Sequence, residues 1–138
     1  MTEHAKALIH TCRIPIRWGD MDAMGHVNNT IYFRYMEQAR IEWLESVGYG
    51  VGALLDEAPV IVNASCTFIV PFTYPGTVEV RTFAGKAGRS SLPTWCEFYK
   101  VGEPTLYADG AAKIVWTTPT TAKSAPLPDV IRKLVEHL

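Results

Sequence analysis

The chain has 138 residues, enough for one domain with one core and too few for a second catalytic domain beside it. Apolar residues make up 48% and charged residues 20%, the balance of a folded globular chain rather than a disordered or collagen-like one. Thirteen Lys and Arg against 14 Asp and Glu leave a formal charge of -1, which provides no basic field for nucleic acid to follow.

No apolar run approaches the roughly 18 residues of a membrane helix, and the start, Met-Thr-Glu-His-Ala-Lys, lacks the basic-then-apolar order of a secretory signal. The expectation is a cytoplasmic protein whose partners include neither nucleic acid nor membrane. Cys12, Cys66 and Cys96 are odd in number and widely spaced, which suits reduced, packed thiols better than bridges or a metal knuckle.

In chain order, residues 8–18 alternate, with Cys12, Ile14, Ile16 and Trp18 against Arg13, Pro15 and Arg17, and predict a half-buried strand. Pro15 removes one ladder donor, so the strand belongs at an edge or carries a bulge. Gly19 to Gly25 reads as a loop. From Asn29 to about Val47 the period becomes helical: Tyr32, Tyr35, Met36, Ala39, Trp43 and Val47 share one face, opposite Arg34, Gln38, Glu42 and Glu45. Asn28 or Asn29 can cap the start and Gly48 can end the helix in a left-handed conformation. Arg40 falls inside the apolar sector and Glu37 at its border, which predicts an ion pair between them at the rim of the core.

After a Gly-rich connection at 48–52, Val60 to Val70, Thr77 to Ala87, Pro93 to Val101 and Leu106 to Thr118 are rich in β-branched and aromatic residues and predict four more strands. The turns between these four, Tyr74-Pro75-Gly76, Gly88-Arg89-Ser90-Ser91 and Gly102-Glu103-Pro104, are too short for parallel crossovers, so the sheet should be mainly antiparallel. A Pro-rich stretch at 119–128 leads to a short amphipathic helix at 128–135. The order predicts an α+β domain: one long helix covered by a curved antiparallel sheet of about five strands, with a short C-terminal helix.

Chemistry concentrates in Arg17-Trp18-Gly19-Asp20-Met21-Asp22-Ala23-Met24-Gly25-His26-Val27-Asn28-Asn29, between the first strand and the helix. A helix N-terminus supplies unpaired amides and partial positive charge there, glycines let a ligand approach the backbone, and carboxylates and an imidazole lie close by. The same residues also suit a purely structural turn, with Asp20 and Asp22 on backbone amides and His26 packed as a neutral ring. A divalent metal on Asp20, Asp22 and His26 lacks a phosphate-cradling loop and a second ligand cluster, so no metal is expected. No Gly-x-Ser-x-Gly elbow occurs either. What remains is a carboxylate beside a helix-end oxyanion site, suited to a reactive acyl group such as a thioester.

The run Trp18 to Tyr32, followed by Tyr35, Glu37, Ala39 and Arg40, resembles the hot-dog-fold acyl-CoA thioesterases of the 4-hydroxybenzoyl-CoA thioesterase type. The order of elements agrees, and Phe68-Ile69-Val70-Pro71 and Gly88-Arg89-Ser90-Ser91 are similar to family features, so the resemblance covers nearly the whole chain. It implies Asp22 as nucleophile or general base, the Asn29 amide as the oxyanion donor, and Asp20 as a structural neighbour. Plant acyl-carrier-protein thioesterases resemble the run too, with Asp, Asn and His two residues apart. Asp22 and His26 match and Met24 stands at the Asn position, which implies an orienting or proton-handling role for His26.

By the same resemblance Tyr32 lines the acyl site, as do Tyr35 and Trp43 unless they are plain core, and Arg89, Ser90 and Ser91 meet the CoA. The implied activity is release of a carboxylic acid and free CoA, with no cofactor beyond the CoA of the substrate, in a homodimer or homotetramer with sites at the dimer seam. A non-catalytic acyl-CoA-binding protein, or hydrolysis of acyl-carrier-protein thioesters, is the alternative.

Overall fold

The computed structural model describes residues 5–50 and 57–138; the residues read for a secretory signal and the 48–52 connection lie partly outside them. Strand β1 spans Ala7–Pro15, helix α1 Asn29–Ser46, β2 Ala58–Phe68, β3 Thr77–Ala84, β4 Ser91–Lys100, β5 Leu106–Thr118, β6 Lys123–Ser124 and helix α2 Asp129–Val135. The strands form one sheet in the order β1-β3-β4-β5-β2, antiparallel throughout, with β6 added beside β5.

The first strand is an edge strand, as Pro15 requires, and its register slips between Leu8 and His10. It ends at Pro15 rather than 18, because Trp18–Asp20 closes into a 3₁₀ turn. The third ends at Ala84 rather than Ala87, where the Gly85 N–H still reaches the Pro93 carbonyl before the chain turns. Strand β6 sits within the stretch read as Pro-rich loop, and its two residues are too few to show a period.

Alternation along β4 sends Leu92, Thr94, Cys96 and Phe98 to the helix side, where all four are buried. Helix α1 lies across this face and joins two apolar clusters. Tyr32, Tyr35, Met36 and Ala39 pack with Val78, Val80, Phe98 and Ala108, and Trp43 and Leu44 pack with Leu92, Ile114, Trp116 and Ile131 of α2. Each large side chain so buried contributes about 1.5–3 kcal/mol, enough to hold a helix whose caps alone could not. The approach is close at Gly110, where a Cβ would lie 2.9 Å from the Met36 Sδ.

Asn28 is the cap: its side chain accepts from the Thr30 N–H. Gly48 follows the helix at φ +93°, the left-handed position expected of it. The expected Glu37–Arg40 pair is not the one formed. Glu37 bonds Arg34 at 3.1 Å, one turn earlier and out in solvent, while Arg40 is half-buried and burial lowers its guanidinium pKa. All three cysteines are free, Cys12 and Cys96 buried and Cys66 half-buried. Burial and a bond to Glu42 push the Cys12 thiol up to about 12, the state of an inert packing thiol.

One curved sheet wrapped on one long helix is the hot-dog fold. Among the described residues its free edges are β1 and β2, and β2 leaves Val60, Val62 and Phe68 exposed.

Candidate active site

Between β1 and α1 the chain is pinned at both margins. The Ile16 N–H donates to the Gly76 carbonyl at 2.8 Å, and the Val27 N–H donates to the Phe72 carbonyl at 2.9 Å. Within these margins Met21 bridges Val27, the Asp22 N–H donates to the His26 carbonyl at 2.9 Å, and the Gly25 N–H donates to the Asp22 carbonyl at 3.0 Å. The resulting turn needs a left-handed residue, and Gly25 supplies it at φ +79°.

The two aspartates have different partners. Asp20 is buried; its carboxylate accepts from the Tyr35 hydroxyl at 2.8 Å, the Arg17 N–H at 3.0 Å and the Arg17 guanidinium at 3.2 Å. Burial pushes this carboxyl up, but the Arg17 amide, the Tyr35 hydroxyl and the Arg17 charge outweigh it and hold the pKa below the usual range. Asp20 therefore fastens the loop to α1. Asp22 is half-buried, with one oxygen accepting from the Met24 N–H at 2.9 Å and the other from the Asn28 side-chain amide at 3.3 Å.

Asp22 opens onto a cavity of about 350 Å³. Asp22, His26 and Asn29 form its polar wall, Val27, Tyr32, Phe68 and Ile69 its apolar wall, and Met24 and Pro71 complete the lining. Four of the sequence-predicted site residues, Asp22, His26, Asn29 and Tyr32, thus meet in one place. Asn28 and Thr30 spend their N–H groups on Asp20 and on the cap, whereas the Asn29 N–H has no acceptor among the described residues. A free amide at the positive end of an 18-residue helix, beside a fixed carboxylate, can hold developing negative charge.

Arg89, Ser90 and Ser91 are not brought to this cavity. The eight residues of β3 separate their turn from the Gly76 end of the sheet, roughly 25 Å at strand rise. There Arg89 reaches the Ser124 hydroxyl at 3.4 Å, and the Arg89 carbonyl accepts from Arg132 and Leu127. Tyr35 and Trp43 are plain core, at 1% exposure each. A larger groove of about 630 Å³ between β1 and α1 holds Arg13, Arg17 and Arg34, but each of these is already paired with a carboxylate.

Sequence reasoning missed the second role of Asn28, as the amide that steadies Asp22, and the site positions of Phe68, Ile69 and Pro71. Those three lie at the end of β2 and just after it, some forty positions later, and the β2–β5 pairing together with the Val27–Phe72 bond places them beside the helix start.

Residues 16–135 match the thioesterase-like superfamily. Among solved structures, the chain is 41% identical to the Pseudomonas aeruginosa PA2801 protein, described as "a putative Thioesterase", with a TM-score of 0.88 over 92% of this chain and 98% of that one. The gentisyl-coenzyme A thioesterase BH1999 is 27% identical with a TM-score of 0.79, over 88% of this chain and 98% of that one. The 1,4-dihydroxy-2-naphthoyl-CoA thioesterase Slr0204 of Synechocystis, at 20% identity and a TM-score of 0.83 over 97% and 98%, shares the fold. A protein of Aquifex aeolicus (strain VF5) named "Putative esterase" is 36% identical over 67 residues, 47% of this chain and 52% of that protein, so the match spans about half of its length. With residues 16–135 matched and the hot-dog architecture in place, the chain belongs to the thioesterase-like superfamily of hot-dog proteins.

Proposed function

We propose that this chain is an acyl-CoA thioester hydrolase of the 4-hydroxybenzoyl-CoA thioesterase type, acting in the cytoplasm and releasing a carboxylic acid and free CoA. The observation that carries the reading is the Asp22 carboxylate, fixed by the Met24 N–H and the Asn28 amide, beside the unpaired Asn29 N–H at the start of α1. The substrate carbonyl oxygen sits on the Asn29 amide, whose charge the helix dipole supports. Asp22 either takes the proton of the water that adds to the carbonyl as the CoA thiolate leaves, or adds to the carbonyl itself and expels the thiolate, giving a mixed anhydride that water then hydrolyses to free the acid and Asp22. His26, on the same wall, orients the water or carries its proton.

The cavity is open on the side of Phe68 and Ile69, which are 43% and 54% exposed at the end of the free edge strand β2. We assign this edge to a homodimer seam that completes each site. The Arg89 turn contacts CoA only from another subunit, given its distance from Asp22 within one chain.

Free-thiol release from purified protein with a panel of acyl-CoAs tests the reading. Asp22→Asn should leave the fold and dimer intact and lower turnover by about two to four orders of magnitude, the scale of a lost catalytic acid or base. Unchanged turnover removes Asp22 from the mechanism. Tight binding of intact acyl-CoA without thiol release identifies a binding protein instead, and activity confined to carrier-protein thioesters changes the substrate.

A further inference from the structure

We infer that the site takes a compact acyl group, no larger than hexanoyl or benzoyl, and that the Tyr32 ring sets the limit; the inference rests on the thioester-hydrolase reading above. For reaction, the thioester carbonyl must lie between Asp22 and the Asn29 amide, at the very start of α1. The way inward from there leads to the apolar core packed between α1 and the sheet. Tyr32 stands across it, three residues on from Asn29 and so on the same side of the helix.

The ring is fixed from several directions. Its centroid lies 4.8 Å from that of Phe68, edge to face, and 5.7 Å from those of both Phe72 and Phe98. Behind it Phe72 stacks on Tyr107 at 4.4 Å. The Tyr32 hydroxyl accepts from the Phe72 N–H at 3.3 Å, so a rotation of the ring would leave a buried amide without its acceptor. Tyr32, Phe72 and Phe98 are at most 2% exposed, which makes the floor of the cavity a packed wall rather than a closed door.

The cavity of about 350 Å³ is bounded inward by this wall and open toward Phe68 and Ile69. The thioester and the end of the pantetheine arm take part of this volume, and what remains suits a short chain or one ring. A longer chain finds no apolar space inward and would have to lie along the exposed Phe68 and Ile69 rim.

The test is kcat/KM for thiol release by the full-length protein across acetyl-, butyryl-, hexanoyl-, octanoyl-, dodecanoyl-, palmitoyl- and benzoyl-CoA. The wild type should peak at hexanoyl or shorter, or at benzoyl, and fall at least about tenfold by dodecanoyl. Tyr32→Phe, which keeps the ring but leaves the Phe72 N–H without its acceptor, should lose stability while keeping the order of preference among chain lengths. Tyr32→Leu and Tyr32→Ala should move the optimum towards longer chains, with circular dichroism confirming that each is folded. Dodecanoyl- or palmitoyl-CoA hydrolysed by the wild type as well as the short members overturns the depth limit alone, whatever the variants do. No thiol release from any member overturns the hydrolase reading and the limit with it.

Discussion

Asn28 uses both ends of one amide: its Oδ1 accepts from the Thr30 N–H at 2.9 Å and caps α1, and its Nδ2 donates to Asp22 at 3.3 Å. Serine can cap but cannot reach Asp22 with a second donor. Asn28→Ser should therefore cost only a few tenths of a kcal/mol in stability while lowering kcat about tenfold, whereas Asn28→Ala should lower kcat similarly and also lose about 1 kcal/mol. Thermal unfolding beside thiol-release kinetics separates the two effects, and an Asn28→Ser enzyme with full kcat shows that Asp22 is steadied by other groups. At this scale the sequence was informative where residues close to a helix start share a cavity: Asp22, His26 and Asn29 lie within eight positions of each other. It was silent where one side chain serves two partners, because the type of Asn28 explains its cap completely and leaves nothing to mark its bond to Asp22. The Glu37–Arg40 expectation failed for a related reason: Glu37 had Arg34 at the same spacing on its other side, and helical periodicity does not rank the two.

Elements were legible to the extent that they repeat. The 18 residues of α1 and the five long strands each carry several periods of apolar residues, and their approximate bounds and antiparallel pairing followed. The two-residue β6 carries none, and how closely an element approaches its neighbour is not a periodic property either. The contact of α1 with β5 depends on Gly110, which sits opposite Cys66 in the β2–β5 register and directly under Met36. A methyl group there would stand 2.9 Å from the Met36 Sδ and 3.3 Å from the Ser65 carbonyl oxygen. The sulfur end of Met36 can move and the β2 backbone cannot do so without cost. Gly110→Ala should destabilise by about 1–3 kcal/mol, the cost of overpacking a core, and Met36→Ala in the same chain should recover part of it. Urea unfolding of the single and double variants measures the coupling; equal losses with and without Met36 would place the strain on the β2 backbone instead.

For the whole molecule, the free edge and the cavity share residues: Phe68 closes β2 and, with Ile69, forms the open side of the site beside Asp22. Strand β2 is eleven residues long, and most of its residues are exposed. An unpaired edge of that length with apolar side chains invites another strand unless charge or proline blocks it, and β2 carries no charged residue. Its one proline, Pro59, lies at the beginning, away from Phe68. Val60 and Val62, 44% and 55% exposed, add apolar surface beside Val115 and Pro119 on the outer face of the sheet. In the proposed dimer two copies of this strand meet about a two-fold axis, so a charge placed on one copy faces the same charge on the other. Val60→Lys with Val62→Lys should leave the monomer folded, since both side chains already face solvent, and should shift sedimentation from dimer to monomer. Thiol release should fall with the dimer fraction and recover at high protein concentration. A double variant that sediments as a dimer with full activity places the seam on another surface. A monomer with full activity shows that one subunit closes its own site.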